Sequence, residues 1–215
     1  FLIDCGASSL IALKGLGIAL NEIQAILVTH FHADHFGGLP FFMLESQFFS
    51  KRTQPLVVAG PPGLKDWYLR VMETSFPGSS KTKQKFDLEL RELKPGEETE
   101  VAGVTVTPHL VKHGQPDGPF FALRIRAEDR VVTYTGDTEW TDALIPAAKD
   151  ADLFVAEAYF RDKAVPLHLD LATLENHLPE IGAKKVVLTH MSDDMLKQVD
   201  ELAYETAEDG KVVAF

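Results

Sequence analysis

Four residues able to ligate a metal ion stand within six positions, His30-Phe31-His32-Ala33-Asp34-His35, directly after the apolar run Ala25-Ile26-Leu27-Val28. A short, β-branched apolar run reads as a buried strand, and its backbone pairing fixes where the residues after it sit. Imidazole nitrogen and carboxylate oxygen suit zinc, manganese or iron. The absence of thiolate argues against a closed structural site.

Five of the eight histidines lie elsewhere, and the pattern around some of them repeats. Val186-Val187-Leu188-Thr189-His190 is a second apolar run ending in Thr-His, as Leu27-Val28-Thr29-His30 does. Val131-Val132-Thr133-Tyr134-Thr135 runs into Gly136-Asp137, and the stretch from Val104 to Lys112 runs into His113-Gly114. Four strand-like runs therefore each deliver a ligand-type residue at their C-terminal end. Loops at one edge of a rigid sheet are where sites are commonly built. One His after a strand is more often structural; four such coincidences reverse that expectation.

With these residues in place, the chain resembles the metallo-β-lactamase superfamily. The signature HxHxDH is matched by His30, His32, Asp34 and His35, and the later landmarks by His113, by Asp137 in a Thr-Gly-Asp-Thr turn, and by His190, in collinear order over nearly the whole chain. The resemblance implies an α/β fold of four layers, an αβ/βα sandwich of two mixed β-sheets with helices on the outer faces. It also implies two divalent metal ions: His30, His32 and His113 on one, Asp34, His35 and His190 on the other, and Asp137 bridging. Zinc is the first choice, with manganese or iron as alternatives. True β-lactamases commonly carry Cys at the bridging position, so antibiotic hydrolysis is disfavoured.

At 215 residues and 45% hydrophobic, the chain can bury one sizeable core, and one metallo-β-lactamase-like domain over 1–215 is expected. Phe1 is not a Met, and one or two family strands are expected before it. No run approaches the roughly 20 apolar residues that span a bilayer, so no membrane partner is expected. The lone Cys5 excludes an internal disulfide and fits a reducing, cytoplasmic setting, with a buried packing role for the thiol. A net charge of −11 opposes a broad nucleic-acid surface, yet two divalent ions still suit an anionic substrate. Lys81, Lys83 and Lys85 read as a solvated loop. A homodimer is compatible with the sequence.

Along the chain, a helix is expected from Ser8 to Leu16. A second should run from Gly37 to Phe49, with Phe41, Phe42, Phe48 and Phe49 mainly in the core. A strand at 56–58 and the Gly60-Pro61-Pro62-Gly63 turn should precede a helix through Met72. Three or four strands are expected between Phe86 and Thr135, and helices near 140–149, 171–181 and 193–206. The last residues, 211–215, read as a strand.

The residues that narrow the chemistry come late. Residues 152–159 form an apolar run containing Glu157, and His168-Leu169-Asp170-Leu171 opens an amphipathic helix with Asp170 in a capping position. This pattern resembles the ribonuclease Z and cyclic phosphodiesterase branch. There, a His in the place of His168 contacts phosphate or leaving oxygen, and the acid of a Glu-Ala-Thr, matched here by Glu157-Ala158-Tyr159, orients it. Tyr159 in place of Thr departs from that branch. The resemblance implies a phosphodiesterase acting on a small phosphodiester or a cyclic, nucleotide-like one. In it, Asp34 handles the nucleophile, His168 is the acid–base group and Glu157 its support. Only 23 residues separate His113 from Asp137, room for two strands but not for the substrate-gripping arm of short ribonuclease Z. The alternatives are a lactone, ester or thioester hydrolase, a ribonuclease Z-type endoribonuclease, and a non-enzymatic member. The last normally lacks ligands, and none is missing. His109 reads as a strand-face residue and His177 as helix surface.

Overall fold

The computed structural model describes residues 1–114 and 120–215, and they fall into two compact units, Phe1–Lys94 and Pro95–Phe215. The first unit carries a four-stranded sheet ordered β1 (Leu2–Ile3), β2 (Ala25–Leu27), β3 (Leu56–Gly60), β4 (Leu88–Glu92). Every pairing is parallel, where a mixed sheet was expected. The reason is local: each pair of strands is joined through helix, and a helical crossover returns the chain to start a parallel neighbour. The crossovers hold α1 (Ser9–Gly15), then α2 (Ala33–Phe36) and α3 (Leu39–Leu44), then α4 (Leu64–Ser75). Gly63, at φ 89°, makes the left-handed entry to α4 that a side chain would strain.

Ile26, Val28, Phe42, Leu56 and Val58 are fully buried in this unit's core, each such side chain contributing about 1.5–3 kcal/mol. The aromatic expectation holds for Phe42 alone, since Phe41, Phe48 and Phe49 are 47%, 53% and 67% exposed. A π-helical turn at Glu45–Phe49 inserts a residue and rotates the face, so Glu45, Ser46 and Gln47 turn inward instead. Arg52 is buried and donates to the carbonyls of Leu20 and Asn21, both at 3.3 Å, and of Ile23. Burial pulls its guanidinium below its ordinary value.

The second unit carries a seven-stranded mixed sheet. Its antiparallel part is β5 (Thr99–Val101), β6 (Val104–Leu110), β7 (Phe121–Ala127) and β8 (Arg130–Tyr134). Next come β9 (Leu153–Glu157), β10 (Val186–Thr189) and β11 (Glu205–Thr206), each parallel to its neighbour. Ala102 and Gly103, at φ 46° and 86°, close the β5–β6 hairpin with the paired positive φ of a type I′ turn. Among the described residues five strands thus lie between Phe86 and Thr135, where three or four were expected, and the first of them, β4, belongs to the other sheet. The helices are α5 (Leu144–Ala148), α6 (Leu171–Ile181) and α7 (Asp193–Leu196). Asp170 caps α6 by accepting from the Thr173 amide at 2.8 Å, and Gly182 ends it at φ 68°. The expected helix over 193–206 breaks after one turn, and residues 211–215 form no strand. Among the described residues no helix is long and apolar enough to cross a membrane.

Candidate active site

In the first unit, β2 carries Thr29 and His30 past its C-terminal end, beside Asp4 at the end of its parallel neighbour β1. The Asp4 amide donates to Leu27 O at 2.8 Å. Its carboxylate collects three donors: Oδ1 takes the Thr29 amide at 2.7 Å, and Oδ2 takes the Thr29 hydroxyl at 2.8 Å and Nδ1–H of His35 at 2.7 Å. Because the Thr29 hydroxyl donates to Asp4, its oxygen accepts Nδ1–H of His30 at 3.0 Å. One carboxylate therefore sets two histidines, directly and through a hydroxyl, in the tautomer whose Nε2 carries the lone pair. That is the outer arrangement typical of metal-ligating imidazoles. Burial raises the Asp4 carboxyl above its ordinary range, against the lowering effect of His35. Sequence reasoning missed Asp4; an acid at the end of a strand parallel to β2 was the available signal.

The ligand loop is pinned by backbone. Cys5 N–H donates to His35 O at 2.7 Å and Gly38 N–H to Cys5 O at 2.8 Å. A Cβ on Gly6 would overlap the carbonyl of Asp34, and one on Gly38 would overlap that of Gly6. The imidazoles of His32 and His35 lie 4.6 and 4.2 Å from that of His30, centre to centre. Nε2 of His35 is 3.5 Å from Oδ2 of Asp34, whose side chain is exposed. Cys5 is a fully buried packing residue, its thiol pushed up to about 12 by burial.

In the second unit, β8, β9 and β10 run parallel side by side, and Asp137, Glu157 and His190 come off their C-terminal ends. One potential ligand atom from each of Asp137, Glu157, His168 and His190 falls within a 4.8 Å cluster. Oδ2 of Asp137 is 3.4 Å from Nε2 of His113 and 3.2 Å from Nε2 of His190. Charge-assisted N–H···O bonds are shorter, about 2.7–2.9 Å. Two ligands each about 2.0–2.1 Å from a tetrahedral zinc stand about 3.3–3.4 Å apart. The spacing fits donors that share a cation, and the donor set, nitrogen and oxygen without sulfur, fits a hard or borderline divalent ion. His190 sits at φ 53°, a left-handed backbone unusual for this residue.

The His168 loop completes this unit's cluster. Glu157 is fully buried. Its Oε1 takes Nδ1–H of His168, and its Oε2 takes the amides of Thr138 at 2.7 Å and Leu169 at 3.4 Å. Both oxygens of Glu157 are thus engaged in hydrogen bonds. Leu167, at φ 70°, offers its carbonyl to Nδ1–H of His113 at 2.8 Å. His109 lies on β6 with its pKa lowered by burial, and His177 on α6 stacks on Trp140 at 3.7 Å.

The family model described as "Anti-Pycsar protein Apyc1" matches residues 1–211. A ribonuclease Z of Methanosarcina acetivorans is 26% identical over 252 residues, covering 94% of this chain and 81% of that protein. Human tRNase Z, short form, overlays with a TM-score of 0.77 at 24% identity, over 99% of this chain and 86% of that one. A diphosphatase of the PhnP family overlays at 0.75 and 23%, over 99% and 79%. The metallo-β-lactamase fold protein YhfI of Bacillus subtilis overlays at 0.73 and 22%, over 97% and 85%. The chain has the metallo-β-lactamase fold and lies in the ribonuclease Z and phosphodiesterase branch; it is a metal-dependent hydrolase. By the match over 1–211, it belongs to the family described as Anti-Pycsar protein Apyc1.

Proposed function

We propose that the chain hydrolyses a small or cyclic, nucleotide-like phosphodiester. In this reading two divalent ions, zinc first and manganese or iron as alternatives, are held by His30, His32, Asp34, His35, His113, Asp137 and His190. The whole of 1–215 serves as one metallo-β-lactamase-like domain, compatible with a homodimer and with the cytoplasm. The observation that supports this reading most is the buried Glu157 holding Nδ1 of His168 beside His190 and Asp137. A proton-handling group supported by a carboxylate, next to ligand-type residues, is what a departing alkoxide requires.

When bound, the ions supply a water that ionises near neutral pH and positive charge facing the phosphoryl oxygens. The chain's own groups do the remainder. Asp34, exposed in the first turn of α2, accepts the proton of the attacking water. Glu157 keeps Nδ1–H of His168, so that ring, protonated also at Nε2, hands the second proton to the departing oxygen. The water oxygen ends on phosphorus, the P–O bond to the leaving group breaks, and that group departs as an alcohol.

A small substrate is favoured by the net charge of −11 and by the 23-residue interval between His113 and Asp137. The relatives named ribonuclease Z favour RNA as the second reading. Purified, metal-loaded protein should be assayed on a cyclic nucleotide, bis(p-nitrophenyl) phosphate, an RNA oligonucleotide and a lactone. Turnover of the cyclic nucleotide above the others is expected. Preferential cleavage of RNA, or of the lactone, would overturn the small-phosphodiester reading.

A further inference from the structure

We propose that Tyr159 is the positioning residue for His168, its ring forming the platform that fixes the plane of the imidazole. The proposal rests on the phosphodiesterase reading above. Side chains two apart along a strand project to the same face. Tyr159 follows Glu157 by two, and the strand pairing continues past β9, with Ala158 N–H donating to Thr189 O at 3.0 Å. One stretch of backbone therefore presents both the carboxylate that takes Nδ1–H of His168 and the ring that lies against its face. The ring centres of Tyr159 and His168 are 4.5 Å apart with planes 23° from parallel. The backbone locks this register, the Tyr159 amide donating to Leu169 O at 2.8 Å and its carbonyl accepting from the Ser192 amide at 3.0 Å.

A single hydrogen bond at Nδ1 leaves an imidazole able to rock about the Nδ1–carboxylate direction, because its χ2 well is broad. Rocking would sweep Nε2 away from the leaving oxygen. A flat ring stacked on one face opposes that motion, whereas Thr, which the resembled branch carries here, has no ring to offer.

The test uses the full chain as Tyr159→Phe, Tyr159→Leu, His168→Ala and the Tyr159→Leu/His168→Ala double variant. Tyr159→Leu should lose about tenfold in kcat on a phosphodiester, equivalent to about 1.4 kcal/mol, with KM and metal content at parent values. Tyr159→Phe, which keeps the face, should restore turnover. In the double variant the Tyr159 change should add nothing to the loss from His168→Ala, since it acts through that ring. By NMR of the metal-free protein, the His168 ring protons should move downfield in Tyr159→Leu and stay in place in Tyr159→Phe, as ring-current shielding is lost or kept. Additive losses in the double variant, parent kcat in Tyr159→Leu, or unmoved His168 resonances would overturn the positioning role. If the parent protein hydrolyses no phosphodiester, that reading fails instead, and the NMR shift alone decides the role of Tyr159.

Discussion

The carbonyl of Leu167 accepts Nδ1–H of His113 at 2.8 Å, and the next residue carries the ring whose Nδ1–H goes to Glu157. One left-handed residue, at φ 70°, thus orients a ligand-type histidine with its backbone and launches His168, the proposed proton-handling group, with its peptide bond. Sites held this way depend on groups that never touch the substrate.

His168→Ala should keep its metal and its fold while losing roughly 10²-fold or more in turnover on a phosphodiester, the scale of a positioned acid–base group. The loss should fall on kcat more than on KM, marking a contact made mainly in the transition state. Parent turnover, or loss of metal, would remove the main support for the mechanism.

Asp4→Ala should weaken metal affinity by about 10–100-fold, the usual effect of removing a carboxylate behind a ligating histidine. Here His35 loses its acceptor and His30 loses the Thr29 relay. Metal titration of the apoprotein reads this directly, and unchanged affinity would mean that the loop backbone alone orients the rings.

Asp137→Ala should lower the metal content of the purified protein by more than His30→Ala does. A carboxylate assigned to both ions loses two bonds, whereas His30 is assigned to one. Elemental analysis of chelator-free preparations is the measurement, and equal stoichiometry in the two variants contradicts the bridging assignment.

Arg52→Met leaves the carbonyls of Leu20, Asn21 and Ile23 without their shared donor. Unpaired buried acceptors cost about 1–3 kcal/mol each, and part of that is recovered by local shifts. A fall in Tm of roughly 10 °C is expected. Arg52→Lys should recover little of it, because one ammonium cannot span three carbonyls.

Asp152 accepts from Lys184 Nζ at 2.8 Å and from the Val131 amide at 2.8 Å, and these bonds, Lys184 first, lower its pKa to about 2. A depressed folded pKa gives stability that is present above the ordinary carboxylate value and lost as pH falls toward 2. Asp152→Asn should therefore destabilise near neutral pH, and the gap between parent and variant should close between about pH 4 and about pH 2. Denaturant unfolding at a series of pH values tests it; a gap that is flat with pH would assign the effect to shape.

Much of this was legible in one dimension because it is periodic or local. His30, His32, Asp34 and His35 are spaced by a strand end and a single helical turn, so their grouping needs no distant partner. The runs that end in Asp137 and His190 are strands recognisable from their β-branched residues alone. The cap at Asp170 and the turn at Gly63 rest on contacts a few residues long. Tertiary structure decided the rest. Asp4 became the orienting carboxylate only because β1 and β2 pair in parallel and bring chain positions 25 and 31 apart within hydrogen-bond reach. The outward turn of Phe41, Phe48 and Phe49 followed from an inserted π turn that shifts a helical face. The assignment of β4 to the first sheet followed from a helical crossover. The stacking of Tyr159 on His168 needed the register of β9 and a strained turn at Leu167 to meet. Residue type fixes which chemistry a side chain can perform, but its orientation depends on hydrogen bonds and ring contacts between segments far apart in the chain, and only the folded backbone brings those segments together.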